Sequence, residues 1–134
     1  MNEETSDNLK RLCSRHLKML KETFSCSKTI LNYAVVSDLD NVIYEIENRE
    51  RLINIVGYIQ AKVESIISNE DSMTVAEVTS IKDWNFYVDS ELKKITECDN
   101  LILNVLEGNK SEISKEISKV FKSRLNVKKY NLTN

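Results

Sequence analysis

Proline is absent from the 134 residues, and glycine occurs twice, at Gly57 and Gly108. Proline breaks helices and glycine weakens them, so their scarcity leaves few turns and favours a few long helices. An all-β fold, which needs many Gly, Pro and Asn-Gly turn signals, is excluded. Histidine occurs once, at His16. A helical di-iron centre, built on two Glu-x-x-His motifs, is therefore excluded as well. The three cysteines, Cys13, Cys26 and Cys98, form no CxxC pair or zinc-knuckle spacing and read as reduced core or near-core thiols. That reading implies a reducing, cytoplasmic setting. The start, Met1-Asn2-Glu3-Glu4, has no apolar run behind it and is not expected to act as a signal peptide. No stretch reaches the roughly 18 apolar residues of a membrane span, so membrane insertion is not expected.

What is present is a 41% hydrophobic, 30% charged chain, enough for one core and an ample polar surface. The net charge of −2 is unevenly spread: +2 over residues 1–37, −9 over 38–107 and +5 over 110–134. An acidic body of this kind repels a duplex, so the basic end (Lys119, Lys122, Arg124, Lys128, Lys129) reads first as a solvated helix face. Folding over the acidic body or meeting an acidic partner are its other readings.

Hydrophobic periodicity places four helices in a single domain. The first is expected over 7–36, capped by Ser6 or Asp7, with a stripe of Leu9, Leu12, Cys13, Leu17, Leu20, Phe24, Leu31 and Ala34. A break at Ser37-Asp38, where Ser37 with Asp40 three residues on reads as a capping signature, or a kink in one longer helix, leads to a second over 39–68. The broad aliphatic stripe of this helix implies more than one packing neighbour. Thr74 and Glu77 form a capping box for a third helix over 75–107, which Gly108-Asn109 stops. A shorter fourth is expected over 110–125, followed by a mobile tail, 126–134. Helices of about 30 residues are roughly 45 Å long. Joined by short connections, they bury their stripes only when nearly antiparallel. The expected fold is all-α: an elongated hairpin or bundle of three long helices and a shorter C-terminal one.

No constellation points to catalysis, and the chain is expected not to be an enzyme. It has no phosphate-binding glycine loop, nucleophile elbow or Cys-His signature. The acids Glu45, Glu47, Glu50, Asp83, Asp89 and Glu91 read as solvated faces. Cys13 and His16, three apart, are at most half of a zinc site, whose four ligands the chain does not supply. The plainer reading is a histidine at the edge of a packed face. No cofactor is expected.

Partner binding is better supported. The stripe Ile113, Ile117, Val120, Phe121 and Leu125 lies on a short helix that can leave the body and expose a groove for an amphipathic helix. Trp84 and Tyr87, three apart, can share a face, either in the core or as an aromatic anchor. Gly57, mid-helix, is either tolerated or allows a close crossing or bend.

The run Ala34-Val35-Val36-Ser37-Asp38-Leu39-Asp40-Asn41-Val42-Ile43-Tyr44-Glu45-Ile46-Glu47-Asn48-Arg49-Glu50-Arg51-Leu52-Ile53 passes from a small, acidic junction into a mixed-charge and then aliphatic helix. With the basic ending from Phe121-Lys122-Ser123-Arg124 to Lys129-Tyr130-Asn131, this layout resembles the flagellar type III export chaperones of the FlgN/FliT kind. The resemblance implies a cytosolic chaperone that holds the helical terminal segment of a hook-filament junction, cap or filament protein and delivers it to the export gate. It implies that Tyr130 contributes to docking at the gate. The alternatives are a structural coiled coil that forms a homodimer, and a small helical regulator that binds nucleic acid through its basic C-terminus.

Overall fold

A computed structural model describes the backbone of residues 1–133 and the side chains of residues 1–123. It is all-α, with four helices: α1 (Glu3–Val35), α2 (Leu39–Ser68), α3 (Val75–Gly108) and α4 (Glu112–Thr133). No helix among the described residues is long and apolar enough to cross a membrane.

The ends of the helices follow from local chemistry. Asn2 caps α1 by accepting the Thr5 amide at 2.8 Å, so this helix begins four residues before the expected start. An acidic first turn, Glu3 and Glu4, suits the positive end of the helix dipole. At the other end Ser37 takes the left-handed conformation (φ 57°). The Ser37 amide donates to Ala34 O and the Asp38 amide to Tyr33 O, at 3.0 and 2.9 Å. This paired closure makes a true break, not a kink. Ser37 therefore ends α1, and Asp38, not Ser37, caps α2 through Asn41. The Thr74–Glu77 capping box is fully formed. Gly108 stays within α3 and has no positive φ; the extended Asn109 terminates the helix instead.

Ser111 starts α4, its hydroxyl accepting the Ser114 amide at 3.1 Å. The backbone of α4 stays helical to Thr133, past the expected end at Leu125 and through most of the expected tail. Nothing from Lys110 onward is glycine or proline. Missing apolar periodicity limits what a segment packs against, not whether its backbone coils.

The chain runs up and down. The Met1 amino group lies 3.8 Å from Glu70 and 3.9 Å from Glu77, which puts the α2–α3 turn beside the start of α1. Asn109 donates to Ser37 Oγ at 3.3 Å, which joins the two turns at the opposite end. Helix α1 is the central element and packs along both α2 and α3. Helix α4 packs along α2 and α3.

Two apolar clusters fill the core. One gathers Leu9, Leu12, Leu20, Val56, Val63 and Trp84 near the start of α1. The other gathers Ile30, Val42, Ile46, Ile102, Ile117 and Phe121 near its end. The α1 seam is more polar than expected: His16, Thr23 and Ser27 are buried in it.

A Cβ added at Gly57 meets nothing within 4 Å, so no close crossing requires this glycine. Gly57→Ala is expected to raise stability by about 0.5–1 kcal/mol, from helix propensity alone. Urea unfolding followed by circular dichroism measures it.

Candidate partner-binding site

The α4 stripe meets the body at two apolar points. Ile117 and Phe121 are buried, whereas Ile113 and Val120 remain 61% and 46% exposed. A shallow cleft along the α2–α4 seam is lined by Ile43, Ile46, Glu47, Glu116, Ile117 and Val120. Small polar residues share the buried face of α4 with Ile117 and Phe121. Ser114 and Ser118 are buried, and the Ser114 hydroxyl donates to Leu106 O at 2.8 Å. Leu125 and Tyr130, also expected in this site, lie outside the residues whose side chains are described.

Beneath Phe121 lies an ion pair. The Arg49 guanidinium stands 5.2 Å from the centre of the Phe121 ring. Its Nη2 donates to Asp99 Oδ2 at 2.5 Å, and its Nε donates to Ser27 Oγ at 3.1 Å. Arg49 and Asp99 are both buried. One side chain of α2 thus touches α1, α3 and α4 at the level where the two apolar clusters join. Sequence reading passed over both members. The signal was available: Arg49 interrupts Val42, Ile46, Ile53 and Val56, and Asp99 adjoins Ile95, Cys98 and Ile102. A charge inside an apolar seam marks a paired site.

Trp84 and Tyr87 do not share a face. Trp84 is buried with its ring 5.1 Å from that of His16, in an edge-on arrangement. Tyr87 is exposed and packs against Phe86, 5.6 Å away. The third helix turns its core seam through Trp84, Val88, Glu91 and Ile95, and a step of three from Trp84 leaves that seam. Glu91, expected on a solvated face, is buried and lies 3.4 Å from Lys94.

His16 is at the centre of the packed face, not at its edge. Its Nε2 lies 3.3 Å from Gln60 Oε1, an oxygen that only accepts, so the proton sits on Nε2. Burial is the main cause that holds the imidazole below its ordinary pKa; Gln60 and the Glu64 charge oppose it more weakly. The unfolded chain therefore takes up a proton first as pH falls. The His16 contribution is complete above about pH 6.5 and is lost as pH drops from there through the lower folded value. Urea midpoints between pH 7.5 and 5 should fall, and should fall less in His16→Gln. As His16 is the one histidine, the difference between the two profiles isolates it.

The three cysteines form no disulfide among the described residues; Cys26 and Cys98 are buried and Cys13 partly so. Burial raises Cys13 to about 11. Burial, then the hydrogen bond to Glu45, raises Cys26 to about 12. Burial also raises Cys98. Thiols held protonated in this way are poor nucleophiles at neutral pH. Among the described residues no group of three or more His, Cys, Asp or Glu side chains is placed to hold a metal ion.

Comparison with protein-family models, with curated proteins and with solved structures finds no match to this chain.

Proposed function

We propose that the protein is a non-enzymatic, cytoplasmic chaperone for a helical segment of another protein, with α4 occupying the partner's seat until the partner arrives. The observation that carries this reading is the seating of α4. Its two buried apolar side chains, Ile117 and Phe121, join the cluster of Ile30, Val42, Ile46 and Ile102, and beneath the Phe121 ring lies the Arg49 guanidinium paired with Asp99. Removing a helix from an apolar floor leaves only unfavourable exposure. Lifting α4 also uncovers the Arg49 guanidinium beneath Phe121, and burial costs an ion several kcal/mol. That gain offsets part of the loss at Ile117 and Phe121. A helix that leaves at modest cost opens a groove between two others, the setting in which amphipathic helices are bound.

The resemblance to flagellar export chaperones supplies the client class: the helical terminal segment of a hook-filament junction, cap or filament protein, passed on to the export gate. Calorimetry and native mass measurement with those segments test it. One-to-one binding of one segment, with none of a scrambled control, is the expected result. No binding of any segment, together with a stable homodimer, would replace this reading with a structural coiled coil.

A further inference from the structure

Four side chains of α4 are buried against the rest of the bundle: Ser114, Ile117, Ser118 and Phe121. Steps of three, one and three put them on a single face of the helix. Each is fitted to what it meets. Ser114 is wholly buried, and its hydroxyl reaches the Leu106 carbonyl at 2.8 Å. A side chain of two heavy atoms thus spans the gap between α4 and the backbone of α3. A longer one has no room there unless α4 moves outward. Ser118, one turn further on, is buried and equally small. Ile117 joins the apolar cluster of Ile46 and Ile102. Phe121 sets its ring 5.2 Å from the Arg49 guanidinium. A ring face attracts a cation where an aliphatic side chain does not, and more strongly out of water.

We infer that the seat selects partner helices by this pattern: a small residue, an aliphatic one three residues on, a second small one at four and an aromatic one at seven. The helix observed to fit the seat is α4, so α4 is the template for what replaces it. The inference rests on the displaceable seat proposed above and adds the pattern the partner must carry. A second copy of the chain carries the pattern too, in its own α4. That α4 is already engaged within its chain across the short connection 109–111, at an effective concentration on the order of millimolar. Exchange between copies restores the same contacts and adds none, so dilute chains stay monomeric.

The receptor for the test is the full chain with Ile117→Ala and Phe121→Ala, which unseats α4. The full chain with Ser118→Leu is a second receptor, emptied at a different position. The probes are synthetic peptides of residues 110–134: the parent sequence, one with Ser114→Leu and Ser118→Leu, one with Phe121→Leu, and a scramble. Calorimetry should show the parent peptide binding both receptors one-to-one and the scramble binding neither. The two leucines should weaken binding at least tenfold, and Phe121→Leu about tenfold. In a receptor that also carries Arg49→Met and Asp99→Leu, the parent and Phe121→Leu peptides should bind within about threefold of each other, because no guanidinium is left for the ring. Of the natural segments tried above, only one that carries the pattern should bind.

Equal binding of the serine and leucine peptides, a ring preference that survives the loss of Arg49, or a bound natural segment without the pattern would overturn the inference and leave the displaceable seat standing. Binding of no peptide by either receptor would overturn both. An α4-exchanged dimer of the parent chain at micromolar concentration would make a second copy the occupant, and would overturn the inference as well.

Discussion

Asp99→Ala should destabilise the protein by about 3–5 kcal/mol, the range for breaking a buried ion pair from one side. Asp99 accepts from Arg49, and both are buried among apolar side chains. Removing the acid leaves the guanidinium between Ser27 and Phe121 with its counter-charge gone. Neither a hydroxyl nor a ring face replaces a carboxylate. Replacing both partners is different, because the uncompensated charge disappears with the pair. Arg49→Met with Asp99→Leu should lie within about 1 kcal/mol of the parent chain, or above it. Urea unfolding of both variants and both singles closes a double-mutant cycle. A cost under about 1 kcal/mol for Asp99→Ala would mean that water reaches Arg49, and the ion pair beneath Phe121 would not be a sealed one.

Ile117→Ala with Phe121→Ala should detach α4. Taken alone, the substitutions cost about 2–5 and 3–5 kcal/mol in a core that cannot relax. Here the loss is capped at the docking free energy of α4. Once the helix has left, its side chains contribute nothing, and α1, α2 and α3 still share the Leu9–Val56–Trp84 cluster. Amide exchange from Glu112 to Ser123 should therefore accelerate by orders of magnitude, while amides near Leu12, Val56 and Val88 change little. Partner affinity should rise, because an emptied seat removes the competitor. If neither α4 exchange nor partner affinity changes, Ile117 and Phe121 are not what seats this helix.

The helical architecture was legible because it rests on local chemistry. The scarcity of glycine and proline set the class, the α2 stripe set Leu39–Ser68, and Thr74 with Glu77 set the start of α3. Ends that depend on one side chain choosing between roles were less so. Asn2 captured α1 ahead of Ser6 and Asp7, and Ser37 closed a helix where it was expected to open one. Of the candidate site, Ile117 and Phe121 were readable as apolar residues four apart on a short amphipathic helix. The depth of the others was not. Ile113 and Val120 belong to the same periodic stripe yet stay exposed, because α4 touches two helices over a narrow line. The ion pair escaped because its meaning is tertiary. Arg49 and Asp99 are 50 residues apart, and each looks like a surface charge until the neighbouring seam positions are lined up.

The central claim is that α4 leaves its seat while the rest of the bundle stays folded. Native-state hydrogen exchange of the unliganded chain, measured against low concentrations of urea, tests it most directly. Amides from Glu112 to Ser123 should exchange with an opening free energy several kcal/mol below that of Ile30, Val56 and Ile102, and with a weaker urea dependence. If they instead exchange at the same free energy and with the same urea dependence as those core amides, α4 opens only when the whole protein unfolds. The displaceable-seat account is then wrong.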